Sequence, residues 1–142
     1  MFKYPFSFFA EVDAQSGIGS LWKSTSQKIQ STCSIPPEFE GPGGGLSPED
    51  LFAQALGNCF VATFKVFVEK SKLNFSELST KVELVVDLDE SKKPIMRRCL
   101  LKVVVSGCDN PDRVKILAEK AFKSGFIINS VKTEMAMELQ VT

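Results

Sequence analysis

From Leu51 to Val68 the apolar positions hardly break: Gln54, Asn58, Thr63 and Lys65 are the only polar side chains in the run. A surface helix shows a polar stripe, so a helix that is apolar all round is buried on most faces. Start signals lie just before it. Ser47 suits the N-cap, Pro48 the first helical position, and Glu49 and Asp50 complement the positive end of the helix dipole. The pattern predicts a helix over Pro48–Lys70. A chain of this size can hardly wrap such a helix alone, so a second subunit is expected to cover it.

The remaining rhythm is mostly of period two. Residues 6–35 alternate loosely around the turn "QSGIGS" and predict two or three strands joined by hairpins. "IPPEFEGPGGGLSPED" (Ile35–Asp50) is dense in proline and glycine and reads as a loop, a flexible flap over the helix start. It is no phosphate loop, because no Lys-Ser/Thr follows the glycines. Phe75–Asp89 and Ile95–Gly107 read as a strand pair joined by "ESKKP". "CDNPDRVKILAEKAFKSG" places Asn110 as a cap, Pro111 in the first turn, and Val114, Leu117, Ala118, Ala121 and Phe122 at helical spacing, with Gly125 ending the helix. Val131, Thr133, Met135, Met137, Leu139 and Val141 alternate in a closing strand. Strands and helices do not alternate, so the fold class is α+β with a mostly antiparallel sheet.

Composition narrows the classes. The 142 residues suit one domain over 1–142, and 44% hydrophobic with 24% charged residues suits a soluble globule. Seventeen basic and seventeen acidic residues cancel, which offers no surface for nucleic acid or an anionic membrane. The start, "MFKYPFSFFAEVD", is short and holds a proline, and is read as mature structure. No apolar run reaches the ~18–20 residues of a membrane span. Histidine is absent, which removes the Ser-His-Asp triad, Cys-His proteases and most zinc sites. No metal or cofactor is expected. Cys33, Cys59, Cys99 and Cys108 form no CxxC pair and fit a reducing, cytoplasmic location. Twelve phenylalanines build a thick core or line a pocket for an apolar ligand, with core the simpler use.

"SPEDLFAQALGNCF" resembles the central helix motif of the OsmC/Ohr proteins, the osmotically inducible and organic-hydroperoxide-resistance group. Ser47-Pro48-Glu49, the ten-residue step to Cys59 and the aromatic Phe60 carry the likeness. "AEKAFKSGFIINSVKTEM" resembles the second helix and final strand of that family, and the element order agrees. The resemblance implies an intertwined homodimer with two long helices buried between sheets and active sites at the interface. It also implies reduction of organic hydroperoxides by a cysteine pair. The helix cysteine attacks, a second cysteine near the end of the later helix closes a disulfide, and an N-terminal arginine held by the motif glutamate supports the thiolate. By position, Cys59 matches the attacking cysteine and Glu49 the glutamate. Gly125 takes the place of the second cysteine, and no cysteine follows Cys108. The first arginine is Arg97, so Lys23 or Lys28 would have to stand in, without the planar fork of a guanidinium.

The residues themselves allow simpler readings. Cys59 is either a small buried hydrophobe or a reactive thiol. An attacking thiol must ionise, and apolar surroundings disfavour that charge, so it needs a cation nearby. Glu49 either stabilises the first helical turn or serves the site. Ten helical residues separate it from Cys59 by about 15 Å, so a direct pair is excluded. Cys33, Cys99 or Cys108 could pair with Cys59, or an external thiol could reduce its sulfenic acid in a one-cysteine cycle. Strand alternation sends Arg97 and Arg98 to opposite faces, where solvation is the simpler role. The leading expectation is a thiol-dependent peroxidase acting on organic or lipid-like peroxides, with an external thiol reductant. The alternative is a non-catalytic module that binds a small apolar ligand at the dimer interface.

Overall fold

The computed structural model describes residues 2–142. The chain forms two compact units, one ending at Leu51 and the other spanning Phe52–Thr142.

The first unit opens with residues 2–10, which form no strand among the described residues. Their aromatic side chains stand in solvent, with Phe8 90% and Phe9 83% exposed. Strands β1 (Glu11–Asp13), β2 (Trp22–Ser26) and β3 (Ile29–Cys33) follow as an antiparallel sheet in that order. Gln27 and Lys28, both at positive φ, make the tight β2–β3 turn whose twist suits a hairpin. The Gly/Pro loop is fastened rather than a free flap. Leu46 N donates to Thr32 O at 2.9 Å and Ser34 N to Leu46 O at 3.0 Å, so the loop returns alongside β3. Gly45 permits this approach, since a Cβ there would lie 2.9 Å from Thr32 O.

Helix α1 (Pro48–Lys70) begins in the first unit and continues through the second. Its start is a reciprocal box. Asp50 N donates to Ser47 Oγ at 3.0 Å, and Ser47 N donates to Asp50 Oδ2 at 2.9 Å.

In the second unit, β4 (Glu77–Leu88) and β5 (Pro94–Ser106) form a long antiparallel hairpin. Asp89 shapes its turn, accepting from Ser91 N and Lys93 N through Oδ1. Helix α2 (Pro111–Ser124) is capped by Asn110, whose side chain accepts from Arg113 N. Strand β6 (Glu134–Val141) then pairs with β5 in parallel, not antiparallel. The reason is the connection: α2 carries the chain back along β5, so β6 must run the same way. A 3-10 turn at Ile128–Ser130 delays β6, which therefore starts three residues later than the alternation from Val131 implied.

Opposed rows on one face of this sheet, such as Thr80–Val103–Leu139, Val82–Leu101–Met137 and Leu84–Cys99–Met135, build the core with both helices. Phenylalanines serve that core. Phe60 and Phe64 stack at 5.6 Å, and Phe64 and Phe75 at 5.3 Å. α1 buries Leu56, Gly57, Cys59, Phe60, Phe64 and Val68, while Ala62, Lys65 and Val66 face solvent. Only a third of its most apolar stretch is buried. Contrary to the expectation that no apolar run reaches such a length, α1 is long and apolar enough in composition to cross a membrane. Its packed flank makes it the core helix of this unit instead. Two helices on antiparallel and mixed sheets give an α+β fold.

Candidate functional site around Cys59

Cys59 lies 8% exposed on the flank of α1, at the far end of α2. Its environment is set by Gly125. The backbone at Gly125 is extended, with φ −60 and ψ 133, which any residue can adopt. A left-handed helix stop is therefore not why glycine stands here. A Cβ on residue 125 would come 2.6 Å from Cys59 Sγ. The sulfur fills the place of the missing side chain, with Ile128 against the same spot.

The turn beyond Gly125 is held by a set of hydrogen bonds. Asn129 Nδ2 donates to Lys123 O and Gly125 O, both at 2.8 Å, and Asn129 N donates to Gly125 O at 3.0 Å. Ser130 Oγ donates to Phe126 O at 2.7 Å. These bonds satisfy carbonyls at the end of α2. Phe126, 77% exposed, and Ile127, 44% exposed, lie within this turn. Sequence reasoning missed both residues. The available signal was the apolar run Phe126-Ile127-Ile128 directly after the helix-ending glycine, at a position that the helical period no longer covers.

Glu49 stands in the first turn of α1, in the first unit. The capping role falls to Asp50, so Glu49 is not needed for it. Its Oε1 is buried and has no hydrogen-bond partner among the described residues. A buried carboxylate oxygen in that state is uncommon and calls for a donor. Lys23 is exposed and donates to Thr32 Oγ1 at 2.7 Å, and Lys28 sits at the exposed tip of the β2–β3 turn.

The other cysteines differ in prospects. Cys108 precedes α2 and Gly125 follows it. Fourteen helical residues therefore place Cys108 about 20 Å from Cys59, well beyond the ~7 Å Cα limit for a disulfide. Cys99 is buried on β5 between Leu84 and Met135, and burial pushes its thiol up from the usual range. Cys33 is buried in the first unit at the end of β3. All four cysteines are free. Arg97 pairs with Glu90 at 3.1 Å near the hairpin turn, and among the described residues this is the single ion pair. The register shift between Val85 and Val86 leaves Arg97 without an opposed residue, while Arg98 lies across from Val85 and Glu134 on the outer face. Both arginines thus have surface roles.

This geometry occurs in a recurrent fold. An OsmC-like protein of unknown function from Vibrio cholerae superposes with a TM-score of 0.83 at 19% identity, covering 95% of this chain and 99% of that one. An organic hydroperoxide resistance protein OsmC from Legionella pneumophila gives 0.77 at 20% identity, covering 98% and 100%. The organic hydroperoxide resistance protein OhrB of Bacillus subtilis gives 0.70 at 18%, covering 94% and 98%. In sequence, the uncharacterized protein YmaD of Bacillus subtilis is 25% identical over 121 residues, 82% of this chain and 81% of its own length. The family model described as OsmC-like protein matches residues 41–140, and the chain belongs to that family.

Proposed function

We propose that the chain acts over its whole length as one OsmC-like redox domain in which Cys59 reduces organic hydroperoxides. The observation that carries this reading is the fit of Cys59 Sγ into the side-chain space of residue 125. The resemblance puts the second cysteine at that position, so the thiol keeps the setting of a cysteine pair with one member removed. The names of the Legionella and Bacillus neighbours are consistent with such a role.

The cycle then runs on one cysteine. The Cys59 thiolate attacks the distal peroxide oxygen. An S–O bond forms, the O–O bond breaks, and the alkoxide takes a proton and leaves as the alcohol. The sulfenic acid condenses with an external thiol, releasing water and leaving a mixed disulfide. A second external thiol frees Cys59 and leaves as the small-molecule disulfide. Glu49 belongs to the site as the acceptor for a cation supplied across a homodimer interface, which its unpartnered oxygen favours. A cytoplasmic location suits four free thiols.

Treatment with cumene hydroperoxide and dimedone, followed by peptide mass mapping, is expected to place the label on Cys59. An unlabelled Cys59 would end the catalytic reading. A second reading, a non-catalytic module holding a small apolar ligand at the dimer interface, is favoured by one fact. Both helpers that the resemblance calls for are replaced: Gly125 stands where the second cysteine would, and no arginine precedes Arg97. Native mass spectrometry of the purified protein tests it through a co-purifying mass.

A further inference from the structure

We propose that the groove between α1 and β4 is a second binding site, one for a small neutral molecule that carries a carboxamide or hydroxyl beside a short branched alkyl group. It does not depend on the peroxidatic reading above. The groove measures about 300 Å³, at the lower end of small-molecule sites. Gln54, Asn58 and Val61 line it from α1, and Leu78, Thr80 and Val82 from β4. The three helix residues share one face of α1. Cys59 lies about 100° around the helix from Asn58, and its sulfur meets the Gly125 position instead.

Three observations mark the groove as built for hydrogen bonding. Thr80 stands in a row of the inner sheet face with Val103 and Leu139, where a valine of the same shape would suit an apolar core. Its Oγ1 is buried and has no hydrogen-bond partner among the described residues, a costly state that calls for one. Asn58 Nδ2 donates to Gln54 O at 2.8 Å, which fastens the carboxamide and leaves its Oδ1 as an acceptor. Gly57 sets the width of the groove. A Cβ there would come 2.8 Å from Val82 Cγ2, so glycine lets β4 approach the helix this closely.

The lining also selects the ligand. Among the described residues no ionisable side chain lines the groove, so a charged molecule would lose its hydration and gain no opposite charge. Val61, Leu78 and Val82 supply an apolar wall, and Gln54, Asn58 and Thr80 supply donors and acceptors beside it.

The test is NMR of the full chain titrated with isobutyramide. The reporters are the side-chain amides of Gln54 and Asn58 and the methyl groups of Val61, Leu78 and Val82. Saturable shifts at these signals are expected. Isobutyrate has the same shape and a charge, and should bind about tenfold more weakly. Thr80→Val removes the hydroxyl and should weaken isobutyramide about tenfold, the upper scale of one hydrogen bond. The thermal midpoint of that variant should hold or rise, because no protein partner of the hydroxyl is lost. Unmoved signals, or equal affinity in Thr80→Val, would overturn the proposal and leave the groove to water. A lower midpoint would make the hydroxyl structural and overturn it as well. Isobutyrate binding as tightly as the amide would refute the neutral class. A soluble paramagnetic agent that leaves the reporter signals sharp would show a second copy of the chain seated in the groove, which also refutes the site.

Discussion

Gly125 leaves α2 in a conformation open to every residue, yet a single added carbon would meet the Cys59 sulfur at 2.6 Å. Two substitutions there should move stability in opposite directions. Gly125→Ala forces an overpacked contact and should cost about 1–3 kcal/mol, read as a lower urea midpoint. Gly125→Cys, once oxidised, turns the same closeness into a bond, because a disulfide holds Cβ about 3 Å from the partner sulfur. Peptide mapping should find the 59–125 disulfide, and its reduction should lower the urea midpoint. Position 59 and position 125 were both legible in the sequence through the family motifs. The reason for glycine was not, since a helix-ending glycine looks the same whether it supplies a left-handed turn or empty space. Phe126 was hidden for a similar reason: a lone aromatic after a helix carries no period from which to read its exposure.

At the scale of elements, the start of α1 was readable because capping is local chemistry. Ser47 and its partner lie three residues apart and are decided within one turn. The partner is Asp50, and this frees Glu49. Ser47→Ala should therefore lower stability by about 1 kcal/mol in urea unfolding, and Asp50→Ala should do the same through the other half of the box. Glu49→Gln should leave the midpoint nearly unchanged. A fall as large as that of Asp50→Ala would make Glu49 a capping residue after all. The strands were readable from alternation, but their directions were not. Period two says which face a side chain takes and nothing of whether its neighbour runs parallel. That was settled by α2, whose return along β5 fixes β6. The register shift at Val85 and Val86 was likewise invisible, since one extra residue changes pairing without changing composition.

Among the described residues, apolar surface stands uncovered on the flank of α1 at Ala62 and Val66 and in the aromatic stretch before β1. Soluble chains seldom leave so much apolar surface bare. We expect native mass spectrometry to give twice the chain mass. Val66→Glu, a mild change on a free surface, should shift the protein to a monomer, and an unaltered dimer would place the interface elsewhere. If the dimer forms, the thermal midpoint should rise with protein concentration. The parallel β6 has a different consequence, one of timing. β4 and β5 join through a short turn and can pair as soon as both have been made. β6, Glu134–Val141, is made after α2 and reaches β5 only once α2 has folded back. During synthesis one edge of β5 therefore waits open until β6 itself has left the ribosome, a period in which a stray strand could take the place of β6.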